Sequence, residues 1–377
     1  MLTLFLMPTP SPLTPFLIIG AGIAGCALAA RLHARGMGVL LLDSAPAAAS
    51  GASGNPVAAL HPLLSVTPSR EALFFLEALR YTREWLVGRG EGTGVRHAPA
   101  TPPSSLMPHA SPPTPLFSLC GLTLKDPRAP RLAAAAHYAG ELELLSADTV
   151  LLKQSGWVRP AALCQALAEG VPFRGGAAVR AVEQTADGYT IRLENEETIA
   201  ASRVVLACGF AVNALLPSDV CLPLQALGGQ LTFLQSTPES KAMLTTVRCG
   251  DGYLLPAVDG LHTCGASYRR NDTNTDIRAA DTAENLRKAA ALAPQSSRLV
   301  PSADRASVRC RTADVLPAVG AVSENLFVLT GFASRGLCSA PYAAWLLSEY
   351  FLTGAALPEW LTPQRFSGRS YAFQKNL

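Results

Sequence analysis

A mixed α/β fold with a second, strand-rich domain is what this sequence predicts, and three observations predict it. The stretch from Phe16 to Asp43 reads strand, glycine-rich turn, helix, strand. Near the other end, an apolar run Leu326–Leu329, a glycine-flanked loop Thr330–Leu337 and an apolar helix Cys338–Tyr350 repeat the same order. Between them, residues 222–308 are mostly extended in pattern, with one helix at Thr282–Leu292. The two ends of the chain therefore build one domain and the middle builds the other.

The first stretch is the most specific. Phe16–Ile19 is a short apolar run of the kind a fully buried strand uses. Gly20, Gly22 and Gly25 follow in G-x-G-x-x-G spacing, and Gly36 stops the helix that they open. Each glycine has a reason: Gly20 permits the tight turn, Gly22 leaves the backbone open to a pyrophosphate, and Gly25 lets the helix pack against the strand. A pyrophosphate would meet free N–H groups and the positive end of the helix dipole. Asp43, after the second strand Val39–Leu42, can accept two hydrogen bonds from a ribose. This is a Rossmann-like dinucleotide site; a plain glycine-rich turn is the alternative that the flanking strands argue against.

The remaining elements follow in order. Residues 44–65 form a small-residue loop around Gly51–Asn55 (GASGN), closed by Leu60-His61-Pro62, which lets a ligand approach the backbone. His61 either faces the ring of the bound cofactor or caps the loop. Residues 70–87 have a helical period. Residues 96–116 carry too many prolines for interior structure and read as an exposed insertion. Phe117–Leu124 reads as a strand and Ala129–Leu144 as a helical surface segment. Gly156-Trp157 precedes a helix Ala161–Glu169, and strands follow at Ala177–Gln184, Tyr189–Leu193 and Val204–Cys208. The last ends in LACGF, again backbone kept clear for a ligand.

Composition sets limits. With 49% hydrophobic and 16% charged residues the chain can bury a large core, which excludes global disorder. A net charge of +3 permits a polyanionic partner without requiring one. The nine cysteines, 26, 120, 164, 208, 221, 249, 264, 310 and 338, include no C-x-x-C pair, so neither a zinc site nor a disulfide framework is indicated. They read as small buried hydrophobes in a reducing, cytoplasmic compartment. The Pro-rich residues 1–15 lack a signal-peptide pattern and read as a flexible leader, and no apolar run is long enough to span a membrane.

Taken together, the glycine fingerprint, GASGN, Gly-Trp before a helix, VRCRTADVLPAVG and GFASRGLCSAP resemble the D-amino-acid oxidase and glycine oxidase superfamily of flavoproteins. More narrowly, GASGNPVAALHPLLS, GDGYLLPAVDGLHTCGASYRRND and GFASRGLCSAP look like the oxidase half of the bifunctional tRNA 5-methylaminomethyl-2-thiouridine biosynthesis family, over residues 16–366. That resemblance implies non-covalent FAD, a tRNA partner, and oxidation of the glycine-like unit on a wobble uridine. The imine then hydrolyses, glyoxylate leaves and aminomethyluridine remains. It also implies two departures. Only 15 residues precede the first strand, so the methyltransferase half is expected to be absent and its step left to a separate enzyme. The insertion at 96–116 has no counterpart.

The resemblance gives named candidates. Arg309 matches the position that holds the substrate carboxylate, and an Arg fork suits a carboxylate bidentately. Arg311 is the competitor, expected to be exposed or phosphate-facing. Tyr253 matches a substrate-facing tyrosine. Arg335 sits where a loop passes the flavin pyrimidine and the substrate. The cofactor set is Gly20, Gly22, Ile23, Ala24, Gly25, Asp43, Ser44, Ala52, Ser53, Gly54, Asn55, His61, Val179, Ala207, Gly209, Gly331, Ser334, Arg335, Gly336 and Leu337, with no metal. Tyr268-Arg269-Arg270 offers phosphate contacts, and Cys310 reads as ordinary burial rather than flavin attachment. The FAD domain is expected over 16–90, 150–220 and 305–377, and the substrate domain over 91–149 and 221–304. Rival readings are a free glycine, sarcosine or D-amino-acid oxidase and a protein that binds FAD or tRNA without catalysis.

Overall fold

A computed structural model describes residues 13–92 and 115–367. An eight-stranded sheet is built on β1 (Thr14–Ile19), which pairs in parallel with β2 (Val39–Leu42) on one side and with the strand Thr198–Leu206 on the other. That strand pairs in turn with Leu326–Thr330, also in parallel, so the C-terminal apolar run lies two strands from β1. Phe16, Leu17 and Ile18 are fully buried, because helices and side chains cover both faces. Helix α1 (Ile23–Ala34) packs against the C-terminal helix Gly336–Thr353, and Arg31 ties the two by an ion pair to Glu349 at 2.6 Å.

A nine-stranded sheet fills the middle of the chain. Its spine is the antiparallel pair Leu224–Gln235 and Pro301–Thr312, in one register from Leu224 opposite Thr312 to Phe233 opposite Ala303, with a shift at Leu234 opposite Pro301. Leu261–Gly265 pairs on the other side of Leu224–Gln235. A buried polar network docks the helix Ala279–Leu292 there: Asn285 donates to the Gln230 carbonyl at 2.9 Å, and Thr232 and Gln230 both donate to Asp304, at 2.6 and 3.2 Å. A small three-stranded sheet, Ala58–Leu60, Gly156–Val158 and Phe117–Ser118, completes the strands.

Three local expectations are corrected. The expected strand Phe117–Leu124 is two, Phe117–Ser118 and Leu122–Lys125, and Gly121 between them has φ +86°. The expected helix Ala129–Leu144 is only Ala129–Ala133 plus a single turn, and Leu142–Ser146 is a strand paired with Thr149–Leu152. The helix ends at Ala133 because Ala135 is already extended (φ −70°, ψ 120°), and Gly140, at φ +81°, turns the chain into the apolar run that finds a sheet edge. Thr14 and Pro15, expected in the leader, begin β1. Residues 1–12 and 93–114, which hold the rest of the leader and most of the Pro-rich insertion, lie outside the described residues. All nine cysteines are free, and only Cys221 is exposed. Among the described residues no helix is long and apolar enough to cross a membrane.

Candidate active site

A cavity of about 1200 Å³ runs between the two sheets and is lined by both ends of the chain and by the middle. The glycine turn forms one wall. Gly20 has φ +111°, and a Cβ there would stand 2.6 Å from the Ala207 carbonyl oxygen. Gly25 is more restrictive: a Cβ would meet the Gly20 carbonyl oxygen at 1.9 Å, so any side chain would lift α1 off β1. The Asp43 carboxylate accepts from Ala21 N–H at 2.7 Å and from Ala45 N–H at 2.9 Å, which fixes it at the end of β2 with lone pairs to spare for a ribose. Ser53 Oγ accepts from Ile23 N–H at 3.0 Å and binds the GASGN loop to the start of α1.

Neither α1 nor the helix Gly336–Thr353 has a side-chain cap or an acidic residue in its first turn. Both begin at the cavity, where Gly22, Ile23, Ala24, Arg335, Gly336 and Leu337 line it. Ser53 Oγ takes the Ile23 N–H of α1, and the remaining N–H groups of the two positive helix ends favour a bound anion.

Other predicted residues converge on the same space. Ser44, Ala52, Ser53, Asn55, His61, Val179, Ala207, Gly209, Gly331 and Ser334 all line it, as do Tyr253, Arg309 and Arg335. Gly25 and Gly54 do not; each stands behind the wall. Gly54 faces the Ala49 carbonyl and the Arg305 guanidinium, which a Cβ would meet at 2.3 and 2.4 Å.

The buried electrostatics are unusual at His61 and Arg335. His61 Nε2 and Arg335 Nε are both buried without a hydrogen-bond partner. Burial, with the Arg335 charge adding to it, pushes the His61 imidazole down to about 3, so the ring is neutral at any ordinary pH. Burial also lowers the Arg335 guanidinium, which lies over the Phe75 ring at 5.8 Å. An unsatisfied buried polar group costs about 1–3 kcal/mol, so two in one cavity fit a ligand with a polar edge. FAD has such an edge on its pyrimidine ring and a pyrophosphate for the helix ends, so the residues present fit it.

On the opposite sheet, Arg309 Nη2 donates to the Ser267 carbonyl at 3.1 Å, and its guanidinium stacks on the Tyr268 ring at 4.6 Å. It has no carboxylate partner among the described residues. Gly229 makes room for it: a Cβ there would lie 2.0 Å from Arg309 Nη2. Burial raises the Tyr253 phenol well above its ordinary range, with Arg309 pulling weakly the other way, so the phenol stays protonated.

Arg311, expected to be exposed or phosphate-facing, is 3% exposed and does not line the cavity. Arg269, offered as a phosphate contact, is consumed by Asp272 at 3.1 Å and by Asp281. Arg270 and Tyr268 do line the cavity. Cys310 is buried, which pushes its thiol up to about 11.

Sequence reasoning missed Lys288, on the helix Ala279–Leu292, which lines the cavity and donates to the Ala266 carbonyl at 3.3 Å. It also missed Arg305, which binds the GASGN loop from behind. The signal for Arg305 was present: residues 305, 309 and 311 alternate onto one face of a strand.

A family model described as FAD dependent oxidoreductase matches residues 16–350. A tRNA 5-methylaminomethyl-2-thiouridine biosynthesis bifunctional protein MnmC from Idiomarina loihiensis is 34% identical over 353 residues, 90% of this chain and 56% of that protein. The protein of the same name from Nitrosospira multiformis is 32% identical over 366 residues, covering 91% and 58%. The chain thus spans just over half the length of these curated relatives. Among solved structures, glycine oxidase from Geobacillus kaustophilus superposes with a TM-score of 0.77 at 19% identity, covering 94% of this chain and 99% of that one. L-proline dehydrogenase from P. horikoshii gives 0.73 at 15% identity, covering 94% and 98%. At those identities the likeness is one of fold. The length of the family match, over a cavity shaped for a dinucleotide, settles the assignment: this chain belongs to the FAD-dependent oxidoreductase family.

Proposed function

We propose that this enzyme removes the carboxymethyl group of 5-carboxymethylaminomethyl(-2-thio)uridine at the wobble position of tRNA, leaving 5-aminomethyl(-2-thio)uridine and glyoxylate. The observation that carries the reading is Arg309, a cation on the cavity wall that touches no carboxylate of its own chain among the described residues. A guanidinium so placed suits the carboxylate of a glycine-like substituent. The names of the curated relatives supply the tRNA context.

When bound, FAD supplies the two-electron oxidant for the carbon between nitrogen and carboxylate. The protein's part is to bind and orient. Arg309 would clamp the carboxylate, with Ser267 and Tyr268 fixing the guanidinium plane. Tyr253, held protonated by burial, would face the same substituent as a hydrogen-bond donor. Arg335 and neutral His61 would meet the polar edge of the cofactor, and Asp43, Ser53 and the glycine turn its nucleotide end. Loss of hydride leaves a C=N bond between the nitrogen and the former methylene carbon. Water adds to that carbon, the C–N bond breaks, glyoxylate carries the oxygen away and the amine stays on the uridine. No protein base is required for hydride loss from a neutral amine.

In this reading residues 16–90, 150–220 and 305–377 hold the cofactor and 91–149 and 221–304 the substrate, with the strand Pro301–Thr312 shared between the two. The aminomethyl product is a primary amine that a separate methyltransferase could take, in the cytoplasm where tRNA resides. The test is nucleoside analysis of tRNA bearing the carboxymethylaminomethyl group after incubation with the FAD-loaded protein. Conversion to the aminomethyl nucleoside with one glyoxylate per turnover is expected. Faster flavin bleaching by free glycine or sarcosine than by tRNA would replace this reading with the free amino-acid oxidase.

A further inference from the structure

We propose that Arg305 is a positioning residue for FAD: it locks the loop at 50–55 in the conformation that receives the cofactor, acting from behind the cavity wall. Its guanidinium bridges three points of that loop, 250 or more residues away in sequence. Nη1 donates to Asn55 Oδ1 at 2.7 Å, and Nη2 donates to the Gly51 carbonyl at 2.6 Å and the Ser50 carbonyl at 3.2 Å. Ser50, Gly51 and Asn55 line the cavity, whereas Arg305 does not.

The loop needs such a tie. It is built of small residues, and its only regular element is one 3-10 turn, Ala52–Gly54, with no side-chain cap. Small residues let a ligand approach but leave the loop many alternatives. Arg305 comes from a long strand paired along one side with Leu224–Gln235, where it lies opposite Leu231, so its Cα is held by the sheet. Burial lowers its pKa, no carboxylate pairs with it among the described residues, and the loop carbonyls are the acceptors that replace the lost water. The sequence is adapted to the contact, since a Cβ on Gly54 would stand 2.4 Å from Arg305 Nη2. The glycine of GASGN therefore serves the arginine behind it as well as the ligand in front.

The inference uses only membership of the FAD family and is independent of the tRNA reading. The test is titration of apoprotein with FAD, followed by flavin fluorescence, in wild type, Arg305→Ala and Arg305→Lys. Arg305→Ala is expected to weaken FAD binding at least tenfold while the melting temperature of the apoprotein stays within a few degrees of wild type. Arg305→Lys, which restores one charged donor, is expected to fall between. FAD affinity within twofold of wild type in Arg305→Ala would overturn the proposal. So would an equal drop in melting temperature in apo and FAD-loaded protein without recovery by lysine, because that is the behaviour of a general structural contact. If Arg305→Ala does not fold, the comparison of Arg305→Lys with wild type decides on the same criteria.

Discussion

The two walls of the cavity are made in different ways. Around β1, α1 and β2 the site is formed by leaving atoms out. Gly25 lets helix and strand touch, Gly20 turns the chain, and the groups presented are main-chain N–H groups and a helix end. Across the cavity, the other wall presents charged side chains held by groups of the chain. Arg309 rests on Tyr268 and the Ser267 carbonyl, while Lys288 donates to the Ala266 carbonyl. The first wall suits a ligand recognised by shape and a spread negative charge, and the second suits one carboxylate at one point. A backbone site should therefore fail at the addition of one carbon, whereas a side-chain site should fail at the loss of one charge.

The largest effect is expected from Gly25→Ala. The new Cβ would overlap the Gly20 carbonyl oxygen at 1.9 Å, a backbone atom that cannot move without displacing the turn. Overpacking of this kind costs about 1–3 kcal/mol or more, concentrated here at the nucleotide turn. The purified variant should lose bound FAD, read from its visible absorbance. A variant that retains stoichiometric FAD would break the contrast between the two walls.

A smaller effect sharpens it. Arg309→Ala should keep FAD and lower kcat/KM by about a thousandfold, the scale of a charged pair in a desolvated site. Gly229→Ala leaves Arg309 in the sequence but puts a Cβ 2.0 Å from its Nη2 and 2.7 Å from the Ser267 carbonyl oxygen. It should reproduce part of the Arg309 defect, about tenfold or more, again with FAD retained. Steady-state kinetics on the modified tRNA and the flavin content of both variants measure the two halves separately. Equal loss of flavin in both would show that the second wall also holds the cofactor.

What was legible in the sequence divides along the same line. The backbone site is local: three glycines, two strands and an acid within 28 residues state their geometry by spacing, so the turn and its Asp43 could be placed from the sequence. The C-terminal strand, loop and helix were legible for the same reason. Side-chain partnerships across the long strands were not. Whether Arg269 meets tRNA or Asp281 depends on the fold of residues 269–281, and whether Arg311 is exposed depends on what covers its strand. Arg305 and Lys288 were missed because their partners lie elsewhere in the chain, in the loop at 50–55 for Arg305 and just after the strand Leu261–Gly265 for Lys288. The segment after Ala129 misled because an alanine-rich run has high helix propensity, yet the chain turns extended at Ala135 and the leucines after Gly140 find a sheet edge.

The smallest expected effect concerns His61, which stands where the two ends of the chain meet. Its folded-state pKa is lowered from 6.5 to about 3, chiefly by burial and then by Arg335, while in the unfolded chain it is restored to the ordinary value. The folded protein therefore binds fewer protons than the unfolded one between these limits, so stability rises with pH there. The neutral-ring contribution is complete above about 6.5 and is lost as pH falls toward 3. From pH 7 to pH 5.5 this group alone should cost the apoprotein about 1 kcal/mol. Denaturant unfolding of apoprotein at the two pH values, compared with His61→Gln, isolates it, because the variant lacks the titrating ring and should lose less over the same interval. Parallel losses in the two proteins would mean that the imidazole is solvated or charged in the folded state. In that case the unpaired Nε2 would no longer count as a vacant contact for the cofactor's polar edge, and the fit of FAD to this corner would rest on Arg335 alone.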